Sequence, residues 1–186
     1  MNIFVVDENP IAAANQLCDK HVVKMITESA QMLSTAHRVL DGEMYIEKSA
    51  KGRNVKRWRL NDDREDVLMK AVHAGHPCTV WTMASASNYI WHYGHYKELS
   101  AEYTRRYGKK HGAFYNNNIG ERLKSMPRSI TNIGPTPYAI AMKEFPECIV
   151  PNDPIQSYRN FYNVAKSKFA KWTNSEVPYW YLGKVA

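Results

Sequence analysis

Between Ile11 and Leu40 apolar side chains recur at the three-and-four spacing of an α-helix, with Val22, Ile26, Ala30 or Leu33, Ala36 and Leu40 on one stripe. A stripe this long needs a partner surface, because helical stability in water comes mostly from burying the amphipathic face. The chain is therefore expected to fold around a long N-terminal helix. Pro10 after Asp7 and Asn9 is a preorganised start, and Gly42 stands where a C-cap glycine is preferred. A break near Cys18 or Asp19 is expected, since thirty uninterrupted helical residues would be long for a small domain.

The rest of the sequence reads as further helices. Asn61 or Asp62 can cap a short helix through His73, closed by Gly75. Pro77 opens another, Cys78 to Tyr107, stopped by Gly108, and a helix over 113–125 follows. Residues 126–153 carry Pro127, Pro135, Pro137, Pro146 and Pro151 and predict an ordered loop over the core. Asp153-Pro154 starts a last helix to about Trp172, and the tail from Val177 is aromatic and extended. Strand signals are limited to Ile3–Val6 and a hairpin around 43–60. No repeat or linker divides the chain. The expected fold is all-α, a compact single-domain helical bundle over residues 1–186.

Composition excludes several classes. Hydrophobic residues at 44% and charged residues at 23% are globular values, not those of a disordered chain. No apolar run is long enough to span a bilayer. The opening MNIFVVDENP does not read as a secretory signal, and Cys18, Cys78 and Cys148 are too unevenly spaced for a disulfide framework. These features predict a cytoplasmic protein without a membrane partner, acting as a monomer.

The formal charge of +7, with 12 tyrosines, 5 tryptophans and 5 phenylalanines, favours a polyanionic partner, because phosphates attract Lys and Arg while bases stack on flat rings. The charge is segregated. Residues 48–59 hold Lys48, Lys51, Arg53, Lys56, Arg57 and Arg59 with no acid; residues 103–124 hold Arg105, Arg106, Lys109, Lys110, Arg122 and Lys124 against Glu121 alone. Basic and aromatic residues interleave in Lys56-Arg57-Trp58-Arg59, Tyr103-Thr104-Arg105-Arg106-Tyr107 and Lys171-Trp172. Arg53, Lys56, Arg57, Trp58, Arg59, Arg105, Arg106, Lys109 and Lys110 are accordingly expected to contact nucleic acid.

His21 and Glu28 lie two helical turns apart and share a face with Met25 and Met32, beside Lys24 and Gln31. That face borders the apolar stripe, so Glu28 is either a carboxylate at the core edge, where desolvation suits proton transfer, or a surface partner of Lys24 at i, i+4. His73, His76 and Cys78 invite a zinc reading, but their spacing matches no metal signature and no Cys-x-x-Cys exists; capping or packing histidines are expected, with no metal and no cofactor. His92 and His95 sit among Tyr89, Trp91, Tyr93 and Tyr96 and read as aromatic packing. P-loop, GxGxxG, GxSxG and zinc-deaminase signatures are absent.

The segment Leu17-Cys18-Asp19-Lys20-His21-Val22-Val23-Lys24, continued to Glu28, resembles the first helix of the pyrimidine-dimer DNA glycosylases of the phage endonuclease V type. There an Asp-x-His is followed seven residues after the His by the catalytic Glu. The Ala74-Gly75-His76 turn is similar to the start of that family's middle helix, and Trp180-Tyr181 with Gly183-Lys184 resembles its ending. Residues 43–60 and 126–153 read as insertions, and a group of large-phage proteins shares the Cys-Asp-Lys-His opening. The resemblance implies a helical DNA glycosylase and AP lyase of base-excision repair. In that family an α-amine attacks the sugar C1′, forms an imine, and strand scission by β-elimination follows. An α-amine has a pKa near about 8 and is a usable nucleophile.

Carried over, Glu28 is the acid/base, His21 an active-site or DNA contact, and Met1 the amine donor, since Asn2 is larger than the residue the family exposes by methionine removal. Lys20, Lys24, His76, Trp180 and Lys184 are implied DNA contacts. The implied partner is duplex DNA, damaged or modified, in the host cytoplasm if the chain is phage-encoded. Two alternatives stand beside this: a non-catalytic nucleic-acid-binding protein on the same scaffold, and a transferase or glycosylase acting on modified pyrimidines in phage DNA.

Overall fold

The computed structural model describes residues 1–183. The long stripe is realised as two helices. In α1 (Pro10–Asn15) the Asn9 side chain accepts from the N–H groups of Ile11 and Ala12 at 2.9 and 3.3 Å. After a break at Cys18, α2 (Asp19–Asp41) buries Val22, Ile26, Ala30, Leu33 and Ala36. Gly42 ends α2 in an extended conformation rather than the left-handed one expected of a C-cap glycine. It is required for close approach: a Cβ there would lie 2.6 Å from the Arg38 carbonyl oxygen and 2.8 Å from that of Arg59.

The chain then forms an antiparallel hairpin, β1 (Glu43–Lys48) and β2 (Asn54–Arg59), in register from Glu43↔Arg59 to Lys48↔Asn54. The fold is therefore mostly helical with a small two-stranded sheet, which corrects the all-α expectation. Residues 61–68 are bends and turns and 69–73 are irregular, not the predicted helix. Asp62, one of the two residues expected to cap that helix, and Glu65 are held by two arginines of the interior instead. Arg38 meets Glu65 at 2.6 Å, and Arg64 pairs with Asp62 at 2.7 Å and with Asp41 at 2.5 Å.

The predicted helix from Pro77 is interrupted at Ser85, whose backbone is extended and whose Oγ accepts from the Asn88 N–H at 3.2 Å. This gives α3 (Pro77–Ala84) and α4 (Ala86–Tyr107), the latter closed by left-handed Gly108 and packed on α1 and α2. The helix expected over 113–125 is split into α5 (Gly112–Tyr115) and α6 (Ile119–Arg122), because Asn117 and Asn118 adopt left-handed backbones. Residues 126–153 form a loop with a short 3₁₀ turn at Pro146–Cys148.

Asp153 caps α7 (Pro154–Phe161), which continues as a π-helical turn, Tyr162–Lys166, and ends well before Trp172. Ile3–Val6 is buried but pairs with no strand, and Phe4 has a left-handed backbone at φ 58°. The core runs from Ile3–Val6 through α2 and α4 to Tyr158, Tyr162 and Trp180. All three cysteines are free and buried. No helix among the described residues is long and apolar enough to cross a membrane.

Candidate active site

Glu28 faces the start of the chain. Its Oε2 accepts from the Asn2 N–H at 3.0 Å and lies 3.6 Å from the Met1 ammonium, while Oε1 lies 3.1 Å from Lys24 Nζ. The carboxylate is 13% exposed and Lys24 67%, so the i, i+4 pair occupies the outer side and the amino terminus the inner side. The terminus is fastened there. Asn2 donates to the Ala141 carbonyl at 3.1 Å, and its Oδ1 accepts from the N–H groups of Ile3 and Phe4 at 2.8 and 3.2 Å. The left-handed turn at Phe4 costs on the order of 1–3 kcal/mol, a kind of strain that clusters at active sites. Phe4 stacks on His21 with ring centroids 4.1 Å apart.

His21 is buried on the same wall. The Tyr162 hydroxyl accepts from the Cys18 N–H at 3.4 Å, which leaves its own proton for Nδ1 of His21. Burial first, and then the charges of Lys166 and Lys24, push the imidazole down to about 3, so it is neutral at working pH. His21 is thus a wall of the site, not a cation for a phosphate.

These groups line a cavity of about 460 Å³ whose far side is built by Phe161, Lys166 and Phe169. A second, more apolar groove of about 710 Å³ adjoins it through Ala141 and Phe161 and is lined by Ile140, Met142 and Phe145. His76 stands in this groove. It caps α3 by accepting from the Cys78 N–H at 3.2 Å, and burial, then the amino-terminal charge, lowers its pKa. His73, His76 and Cys78 do not converge; among the described residues no group of three His, Cys, Asp or Glu side chains is placed to hold a metal ion.

The remaining predicted contacts divide sharply. Lys20 and Lys24 are exposed at the cavity rim, and Arg53, Lys56, Lys109 and Lys110 are exposed elsewhere. Arg59 is exposed with its guanidinium 5.3 Å from the Tyr45 ring centroid. Arg57 instead bonds Glu47 at 2.9 Å and the Ala71 carbonyl at 2.7 Å, and Trp58 is half-buried on the hairpin. Arg105 is held by Glu98 and Glu102. Arg106 is buried, with Glu102 at 2.6 Å and Asp19 at 2.9 Å, so its guanidinium ties α4 to α2 rather than facing a phosphate. Trp180 is buried against Tyr162 with its Nε1 donating to Gln16, which makes it a core residue and not a stacking platform. Lys184 lies outside the described residues.

Sequence reasoning missed Asn2, Ala141, Lys166 and Phe169 as site residues. The available signal was weak: Lys166 and Phe169 fall in a stretch that reads as ordinary amphipathic helix, and nothing in its pattern shows that it returns to α2.

A family model described as pyrimidine dimer DNA glycosylase matches residues 1–116. No curated protein and no solved structure gives a significant match. The matched stretch contains the amino terminus, His21, Lys24, Glu28 and His76, whereas Ala141, Phe161, Lys166 and Phe169 lie beyond it.

Proposed function

The chain belongs to the pyrimidine dimer DNA glycosylase family, and on that premise we propose that it excises a damaged or modified pyrimidine from duplex DNA through the Met1 amine and Glu28. The observation that carries this reading is the enclosure of Glu28 beside the amino terminus, 3.6 Å from the ammonium, in a cavity ringed by lysines. Glu28 takes a proton from the ammonium, and the freed amine forms a bond to C1′ as the glycosidic bond breaks. The departing base is protonated from Glu28. Ring opening gives an imine, and loss of the C2′ proton expels the 3′ phosphate.

The adjoining groove suits an extruded base: it is apolar, contiguous with the cavity, and within the usual range of ligand pockets, about 300–1,000 Å³. Lys20 and Lys24 meet phosphates at the rim. Glu28 and the hairpin are separated along α2 by roughly 20 Å at about 1.5 Å per residue. One duplex can therefore reach both the cavity and Arg53, Lys56 and Arg59. We take the whole chain to work as one glycosylase-like domain, a monomer acting where DNA is handled in the cytoplasm. Buried free cysteines agree with a reducing compartment.

The test is Glu28→Gln, assayed on dimer-containing, modified-base and undamaged duplexes. Base release should fall by at least about 100-fold, the lower bound for positioned proton transfer, with DNA affinity unchanged. Full activity in the variant would reject the mechanism. Tight binding without base release by the wild-type protein on every duplex would leave a binding protein on this scaffold.

A further inference from the structure

The cavity holds one amine that lies beyond the stretch matched by the family, that of Lys166. Four positive groups line it, the amino terminus, Lys20, Lys24 and Lys166, against Glu28 as the one carboxylate. Glu28 is shared by the terminus and Lys24. Lys20 is exposed, with its Nζ 4.7 Å from the Phe169 ring centroid. Lys166 differs from both neighbouring lysines. It is half-buried at the end of the π-helical turn, its Nζ is 4.3 Å from the Phe161 ring centroid, and it forms no ion pair among the described residues.

A lysine that is partly desolvated and close to another cation is held in its neutral, nucleophilic form more than a solvated one. Burial and then the Lys24 charge both lower the Lys166 pKa, opposed only by Cys18. The same turn presents Tyr162 to His21, so the π distortion fixes two walls of the cavity at once. Such single π turns recur at functional sites.

We propose that Lys166 forms an imine with C1′ of an abasic deoxyribose, giving the protein a strand-scission activity on abasic DNA that does not need the amino terminus. The proposal rests on the cavity being a glycosylase site. The Lys166 nitrogen adds to the C1′ aldehyde and water leaves, forming the C=N bond. Glu28 accepts the C2′ proton, a C2′=C3′ bond forms, and the bond from C3′ to the 3′ phosphate oxygen breaks. Water then hydrolyses the imine, returning the lysine.

The test uses full-length protein, unmodified or acetylated at its amino terminus, incubated with an abasic duplex under borohydride and mapped by mass spectrometry of tryptic peptides. The expected result is an adduct on Lys166 in the acetylated protein, lost in acetylated Lys166→Arg. That variant keeps the charge and stem, and its thermal unfolding serves as the folding control. An adduct confined to Met1 of the unmodified protein overturns the inference and leaves the glycosylase reading standing. An adduct on Lys20 or Lys24 in its place also overturns it. No adduct on any amine, together with no base release from damaged duplexes, removes the glycosylase reading itself.

Discussion

Lowering the pH should unfold this protein well above the carboxylate range, because it buries neutral histidines. Burial pushes His21 and His95 down to about 3 and His37 down to about 4, against an ordinary value of 6.5, and holds the fully buried His92 well below that value as well. His37 is fixed as neutral by its partners: Arg64 donates to Nδ1 at 2.9 Å, and Nε2 donates to the Tyr89 hydroxyl at 2.8 Å, whose own proton goes to the Leu123 carbonyl. Each folded-state value lies below the unfolded one, so the stability these residues hold is fully present above pH 6.5. It is lost as pH falls from there toward 4, where the unfolded chain binds four protons that the folded chain does not.

One proton per histidine corresponds to about 1.4 kcal/mol per pH unit, so four give a slope of about 5 kcal/mol per unit. Two units would remove about 11 kcal/mol, comparable to the whole stability of a typical domain, about 5–15 kcal/mol. Urea unfolding at pH 7, 6, 5 and 4.5 measures this slope directly. His95, stacked on Trp91 at 5.3 Å with neither ring nitrogen hydrogen-bonded, supplies the control. His95→Phe should remove about one quarter of the slope and raise stability at pH 7, since an unsatisfied buried polar group costs about 1–3 kcal/mol. A stability that stays level between pH 6.5 and 4.5, or resonances of His21, His37, His92 and His95 titrating near 6.5 in the folded protein, would refute the reasoning.

Two further outcomes follow from the charged side chains. Replacing Lys56 and Arg59 together should flatten the log–log salt dependence of DNA binding by up to about two units, roughly 0.9 per phosphate contact, whereas Arg57→Ala should leave the slope alone because Glu47 and the Ala71 carbonyl already hold that guanidinium. Arg106→Ala should cost about 1.5–3 kcal/mol in denaturant melts by removing the buried guanidinium shared by Glu102 and Asp19, which keep Arg105 and Thr173 as partners, with no change in salt slope; a slope change without a stability change would instead set Arg106 against a phosphate.

Local chemistry was legible where it acts locally. The Asn9-Pro10 start, the break at Cys18, the left-handed Gly108 and the Asp153 cap all follow from residues within one turn of the feature they fix. The two-turn spacing of His21 and Glu28 placed both on one face before any tertiary contact was known. Long-range pairing was not legible. Asp62 carries cap chemistry, yet Arg64 claims it while Arg38 claims Glu65, and the helix expected from 61 or 62 to His73 does not form. Arg106 shares a basic run with Lys109 and Lys110, but only the packing of α4 on α1 and α2 reveals that it faces inward. Lys166 was hidden for the same reason: it lies in a π turn whose Tyr162 meets His21 of α2, and no sequence period encodes that turn.

The most direct test of an amine–carboxylate glycosylase is base release by amino-terminally acetylated protein from a duplex carrying one damaged pyrimidine, compared with the unmodified chain. Acetylation caps the Met1 amine beside Glu28 and leaves Glu28, the groove and the rim lysines Lys20 and Lys24 in place. Base release should fall by at least about 100-fold while DNA affinity holds. Undiminished base release by the acetylated protein would contradict the role of the amino terminus.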